Sequence, residues 1–344
     1  MDDKKGVRVV TSERLDFNAP QTPGMNTFRQ ARDRGCEYLL QHLCVDGSFG
    51  NGTVAEYYKV PTAFQVCGET RAANRLLDWV RRSGMTSDGD FGPRTEFTNG
   101  YYYAYFNTWV VIGAARLGQF DIAQKGMDFL MSFYDGSGGF WSHPSERQPD
   151  TPQDLWVTSG CGQAALYTNR LDVACGVGRW MQRMMDEQPN YPEEMYTVAT
   201  PAGGLVTDID PADPIRYVLV NAAKGDQYFF HPGIAGGFLA RLYQATGDEQ
   251  WLALAREYMR FAETATDHLY RLLRAGKVMW AASLLWTLTR ESLYRDMAIK
   301  VANNIVDQQH AGGWWAMTGS EGTPSNDATA EMVVWLDEVY QATG

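Results

Sequence analysis

Basic residues are scarce in this chain: 30 lysines and arginines stand against 41 aspartates and glutamates, a formal net charge of −11 over 344 residues. A surface of that sign repels phosphate backbones and anionic bilayers, so nucleic-acid binding is not expected. Long apolar runs are missing as well. No segment reaches the roughly 18 uninterrupted apolar residues of a membrane helix, and the N-terminal stretch is polar, without a signal-peptide core. The expectation is a soluble, cytoplasmic protein with no transmembrane segment. Cysteine is sparse: Cys36, Cys44, Cys67, Cys161 and Cys175 are odd in number and scattered, which suits reduced thiols rather than a disulfide frame. Neither Gly-x-Gly-x-x-Gly nor a Walker loop occurs. Asp-Asp-x-x-Asp is absent, and His42, His143, His231, His268 and His310 are not spaced as ligands, so no cofactor and no metal are expected.

What the chain has is apolar content and a repeated loop. Hydrophobic residues make up 44% and charged ones only 21%, enough for a large core, and no proline-, serine- or charge-rich linker divides it. We read residues 1–25 as an N-terminal extension and 26–344 as one domain. The loop recurs as Asp46-Gly-Ser-Phe-Gly50, Asp88-Gly-Asp-Phe-Gly92, Asp135-Gly-Ser-Gly-Gly-Phe140, Ala202-Gly-Gly-Leu205 and Ala311-Gly-Gly-Trp-Trp315, with a degenerate copy near His268–Gly276. Glycine lets the chain reverse, and the following aromatic can pack over helix ends.

Between the loops, apolar residues recur at three- and four-residue spacing over twelve stretches, which predicts helices. Spans near 27–44, 71–83, 119–134, 171–187, 249–266 and 292–309 are amphipathic and read as outer helices. Spans near 54–67, 101–117, 154–169, 232–246, 277–289 and 327–342 are apolar nearly all round and read as inner helices. The segment Tyr243-Gln-Ala-Thr-Gly247 recurs as Tyr340-Gln-Ala-Thr-Gly344, a sign of internal duplication. Six outer–inner hairpins make an all-α (α/α)6 toroid. With its Asp-Gly-x-Phe-Gly and Gly-Gly-Phe/Trp loops, the chain from about 27 to 344 resembles the terpenoid-cyclase and protein-prenyltransferase toroid superfamily. Carbohydrate-active (α/α)6 barrels share the architecture. The resemblance does not extend to the superfamily's catalytic motifs: where class II cyclases carry Asp-x-Asp-Asp, the nearest segment here is Asp208-Ile-Asp-Pro211, and no Asp/Cys/His zinc set appears.

One connection breaks the rhythm. Residues 188–229 are far longer than an ordinary turn, and their strand-like segments 196–199 and 216–221 predict a β-hairpin flap over one mouth of the ring. Residues before and at the start of each inner helix should face that mouth. They comprise Glu56 and Tyr57; Tyr101, Tyr102, Tyr105 and Asn107; Asp154, Trp156 and Thr158; His231; Lys277 and Trp280; and Asp327 with Glu331. Tyrosine offers an apolar face and a hydroxyl, His231 can exchange protons near neutrality, and Glu331 follows Asp327 by one turn, so the two carboxylates share a helix face. We assign catalytic roles to His231, Tyr102, Asn107 and Glu331, and substrate binding to the others.

An aromatic cavity with few titratable groups suits a cofactor-independent cyclase or isomerase of an apolar unsaturated natural-product intermediate, such as a terpenoid or polyketide, with a Diels–Alder closure among the reactions it could serve. The alternatives are a carbohydrate-active enzyme (an epimerase, an unsaturated-glycuronide hydrolase or a lyase) and a non-catalytic toroid that binds an apolar ligand.

Overall fold

Alternating amphipathic and apolar helices have one stable arrangement in which both kinds are buried where they are apolar, and the chain adopts it. A computed structural model describes residues 23–209 and 218–344. Outer α1 (Pro23–Leu40) leads to an inner helix broken into α2 (Val54–Tyr57) and α3 (Val60–Val66), then to outer α4 (Thr70–Trp79) and inner α5 (Tyr103–Arg116). Outer α6 (Phe120–Met131) and inner α7 (Leu155–Tyr167) follow, then outer α8 (Leu171–Asp186) and inner α9 (Phe230–Thr246). The last turns of the ring are outer α10 (Glu249–Thr264), inner α11 (Gly276–Thr289), outer α12 (Ser292–Asp307) and inner α13 (Asn326–Thr343). Inner helices α3, α5, α7, α9, α11 and α13 pack each on the next, and α13 returns to α3. Each outer helix covers the inner helix before it in sequence, while α1 covers α13. The fold is the expected (α/α)6 toroid.

The loop repeat stitches the outer ring together. Gly47, Gly89, Gly138 and Gly313 all have positive φ, and a Cβ on them would sit 2.5, 2.3, 2.1 and 2.5 Å from the carbonyl oxygens of Arg75, Lys125, Gly176 and Arg34. These carbonyls belong to α4, α6, α8 and α1, so three loops lean on the next outer helix and the last leans back on the first. Only glycine tolerates that combination of backbone angle and contact. The loop aromatics Phe49, Phe91, Phe140 and Trp315 are fully buried. Ala202-Gly-Gly-Leu205 differs: it forms a turn between strands instead of a loop seated on an outer helix, and the segment near His268–Gly276 forms two short 3-10 turns. Inside the ring, Gly233 and Gly237 let α9 approach α11 so closely that a Cβ would lie 2.2 Å from the Lys277 carbonyl carbon or from the Trp280 ring.

The long connection forms β-structure, but not the expected single hairpin. Strand β1 (Gln153–Asp154) lies ahead of α7, and β2 (Glu194–Tyr196), β3 (Val198–Thr200), β4 (Gly204–Leu205) and β5 (Leu219–Asn221) lie in the connection. β3 pairs antiparallel with both β1 and β4, while β2 pairs with β5. The Tyr191 hydroxyl also bonds the Glu257 and Tyr258 carbonyls of α10, at 2.6 and 2.8 Å. These bonds fasten the connection to the ring's flank. Among its described residues only Tyr228 reaches the mouth; the Asp-Pro turn from residue 210 to 214 lies outside the described residues.

Candidate functional site

A cavity of about 260 Å³ opens at the N-terminal ends of the inner helices. Its wall is aromatic. Tyr58, Tyr105 and Phe106 meet with ring centres 4.9–6.4 Å apart, and Trp156 joins Tyr102, Tyr105 and Phe230 at 4.4–4.7 Å. Phe97, Met317 and Thr318 stand at the rim, together with Arg274. Beneath the cavity, Trp335 packs on Trp109 and Trp280 at 5.4 and 4.8 Å, leaving a void of about 30 Å³ toward the opposite end of the ring.

One charged cluster lies in this wall. Lys59, only 3% exposed, pairs with Asp327 at 2.5 Å and also with Glu331. Lys277, 4% exposed, bonds the other Glu331 oxygen, which also accepts from the Trp335 indole at 3.1 Å. The Tyr58 hydroxyl donates to Asp327 at 2.7 Å. Burial would push the Glu331 carboxyl up, but the two ammoniums overcome it and hold it far below the usual carboxylate range. Burial would likewise strip Lys59 of its proton, and Asp327 and Glu331 instead hold it well above its ordinary value. Glu331 is therefore a fixed anion. It has no proton to donate at neutral pH, contrary to a role as half of a proton-handling pair with Asp327.

A second buried cluster sits behind the wall. Asp154 ends β1 and caps α7, accepting from the Trp156 and Val157 amides at 2.7 and 3.4 Å. His231, in the first turn of α9, donates from Nδ1 to the Tyr228 carbonyl at 3.0 Å, so in its neutral form Nε2 carries the lone pair. That Nε2 lies 4.0 Å from Asp154 Oδ1, and both side chains are fully buried. Burial pushes Asp154 up to about 7 against its two backbone bonds. Burial, aided by the Lys277 charge, lowers His231 to about 3. Between about pH 3 and 7 the pair is a neutral acid beside a neutral imidazole.

Of the residues expected at the mouth, Tyr102, Tyr105, Trp156, Lys277, Asp327 and Glu331 line the cavity. The others do not, and each has a visible reason. His231 and Asp154 are fully buried outside the lining, and Phe230, its ring 4.4 Å from that of His231, takes the cavity face beside Trp156. Asn107 points away from the ring axis, donating to Asp90 at 2.9 Å and accepting from Arg94. Tyr57 is buried in the first repeat and donates to the Gly92 carbonyl at 2.7 Å. Thr158 accepts from the Phe140 amide at 3.2 Å, Glu56 accepts from Asn326 at 2.6 Å, and Tyr101 packs edge-on against Tyr102. Trp280 belongs to the floor. Sequence reasoning missed Lys59, Arg274 and Phe230; Lys59 carries the same signal as the expected Lys277, a cation inside an otherwise apolar stretch, since lysine is almost never fully buried unless paired.

Among the described residues, no group of three or more His, Cys, Asp or Glu side chains gathers as metal ligands would, and no helix is long and apolar enough to cross a membrane. No protein-family model and no curated sequence matches the chain. Solved structures do. A D-mannose isomerase superposes with a TM-score of 0.70 at 12% identity, covering 96% of this chain and 100% of its own. An unsaturated glucuronyl hydrolase specific for heparin gives 0.62 at 11%, covering 92% and 97%. A type II terpene cyclase from Scytonema, in complex with geranylgeranyl dihydroxybenzoate, gives 0.58 at 13%, covering 93% and 98%. These neighbours are all enzymes, and at such identities the likeness establishes the toroid fold.

Proposed function

We propose that the protein is a cyclase or isomerase of a largely apolar, unsaturated small molecule, such as a terpenoid or polyketide intermediate. The observation that carries this reading is the wall itself: aromatic rings on nearly every side, with the Lys277 ammonium set 5.4–5.9 Å from the centres of Tyr105, Trp156 and Phe230. Rings of this kind hold extended unsaturated carbon by shape and dispersion. A fixed ammonium among them stabilises negative charge growing on a substrate oxygen, as in a pericyclic closure or an isomerisation that polarises a carbonyl.

The same ammonium weighs against a cationic cyclisation. A carbocation beside it would be repelled, and the fixed anion Glu331 cannot supply the proton that starts such a cascade. Sugar chemistry of the epimerase, hydrolase or lyase kind needs a free carboxylate or imidazole facing the substrate. Here Glu331 and Asp327 are engaged by lysines and His231 is walled off. The experiment is a turnover and thermal-shift panel of terpenoid, polyketide and monosaccharide compounds. Stabilisation and conversion within the first two classes are expected; conversion of a sugar, with no response to the apolar compounds, would overturn the reading.

A further inference from the structure

A groove of about 380 Å³ adjoins the cavity mouth and shares Leu273, Ala316, Met317 and Thr318 with it. It also contains Trp314, which the loop repeat does not explain. Each repeat seats a glycine on an outer helix and buries an aromatic two residues later, as Gly47 and Phe49 do in the first and Gly313 and Trp315 in the last. The residue between them is Ser48, Asp90 and Gly139 in three repeats and Trp314 in the fourth. Packing of the repeat therefore asks for no aromatic there. Trp314 is half-buried, and among the described residues its ring meets only that of His310, stacked at 4.1 Å. The His310 amide donates to the Trp314 carbonyl at 2.9 Å and the Gly313 amide to the His310 carbonyl at 2.8 Å, which closes the turn carrying both rings. The indole is held in place with surface left to offer.

We infer that this groove is the outer half of the ligand site and takes the apolar tail of a chain too long for the cavity, laid across Met317 onto Trp314. Volume supports the extension. Pockets that enclose a small-molecule ligand measure roughly 300–1,000 Å³; the cavity, at about 260 Å³, falls short of that range, and the adjoining groove carries the site into it. Met317, 45% exposed, is unbranched and yields readily to a passing chain. A sugar would also stack on an indole, but it needs free polar partners around its ring. Here the polar side chains bond the protein itself: Gln308 donates to the Arg271 carbonyl at 3.0 Å, His310 Nδ1 accepts from the Gly312 amide at 3.0 Å, and Glu321 accepts from the Gly319 amide at 2.9 Å. The apolar surface of Trp314, Leu272, Leu273 and Met317 is what the groove presents. The inference rests on the proposed function in placing an apolar ligand in the cavity; it adds that ligand's length and the residue that reads it.

The test compares two acyclic alcohols that differ only in length, ten-carbon geraniol and fifteen-carbon farnesol, together with methyl glucoside, on the full chain by calorimetry. Farnesol is expected to bind about tenfold or more tighter than geraniol, since its added carbons leave water. Trp314→Ala should weaken farnesol by about tenfold while leaving geraniol unchanged, the second result also showing that the variant is folded. The 15N–1H signal of the Trp314 indole, identified by its loss in Trp314→Phe, should shift with farnesol and stay in place with geraniol. Equal affinity for the two alcohols, or a farnesol advantage that survives Trp314→Ala, would overturn the groove and leave the apolar reading of the cavity standing. Methyl glucoside binding that Trp314→Ala abolishes would make the groove a sugar site instead. If neither alcohol bound, both readings would fall.

Discussion

The ring buries two ionisable clusters about one wall apart, and they meet the cost of burial in opposite ways. Lys59, Asp327, Glu331 and Lys277 remain charged because each sign finds the other within contact distance. Asp154 and His231 lose their charges in mild acid, the carboxyl keeping its proton up to about pH 7 and the imidazole refusing one down to about pH 3. The first cluster faces the cavity and the second is sealed behind it. A low-dielectric interior accepts either solution, but only the charged one can act on a ligand, and only at the risk of a severe penalty if one partner is lost.

That difference can be broken most forcefully at Glu331. Replacing it by Leu leaves the buried Lys277 ammonium without its carboxylate and Lys59 with Asp327 alone, and denaturant titration should show a loss of about 3–5 kcal/mol. A Glu331→Leu/Lys277→Met variant should recover most of that loss, since it removes the carboxylate together with Lys277 and leaves Lys59 paired with Asp327. An equal loss in the double variant would mean that the cluster stabilises by packing instead.

Next in size is the catalytic effect of Lys277. Lys277→Met leaves Glu331 with Lys59 and Trp335, so the fold should persist, while turnover of an established substrate should fall about 10²–10³-fold, the usual cost of removing one donor to developing charge. Unchanged kcat would assign Lys277 to structure alone.

The neutral cluster should respond less. Asp154→Ala removes the acceptor that caps α7 and should cost about 1–2 kcal/mol. Asp154→Asn keeps an acceptor for the Trp156 amide and supplies an N–H toward His231 Nε2, and should cost under about 1 kcal/mol. If Asn proved as damaging as Ala, the neutral-acid description of Asp154 would be wrong.

The smallest effect is in pH. Between about 4 and 6.5 the native pair holds one proton, on Asp154, and the unfolded pair also holds one, on His231, so the pair adds no slope to stability. Below about 4 the unfolded chain takes up a second proton first, and stability falls as pH drops. Above about 6.5 the unfolded chain gives up its proton before Asp154 does near 7, and stability falls as pH rises. Against an Asp154→Asn/His231→Gln reference, the wild type should therefore hold level in that window and lose ground on both sides.

Much of the toroid was legible because its signals are local. Loop glycines mark the ends of the outer helices, and the contrast between amphipathic and apolar spans sorts outer from inner, so the helix bounds fell within a few residues of those expected. The cavity was only partly legible, and Asn107 shows why. It lies on α5, which is buried from Ala104 to Ala114 and carries no amphipathic phase, so the sequence does not say which side faces the axis. Facing out, Asn107 joined Asp90 and Arg94. His231 failed for another reason: its position in the first turn of α9 was read correctly, but the bulk of neighbouring Phe230 takes the cavity face. Lys59 and Lys277 became a pair only when α3 and α11 were placed on either side of Glu331, a contact that no spacing along the chain encodes.

The cyclic stitching of the outer helices bears on how the molecule assembles. Arg32 on α1 pairs with Asp337 on α13 across 305 positions, and Gly313 rests on the α1 backbone. During synthesis α13 leaves the ribosome after the other helices of the ring, so the groove between α3 and α11 and the covered face of α1 wait open until then. Closure of the ring is thus a long-range event, which sets a slow step of high contact order. A chaperone or a quality-control protease that distinguishes finished from unfinished copies of this chain would find its cue at that seam.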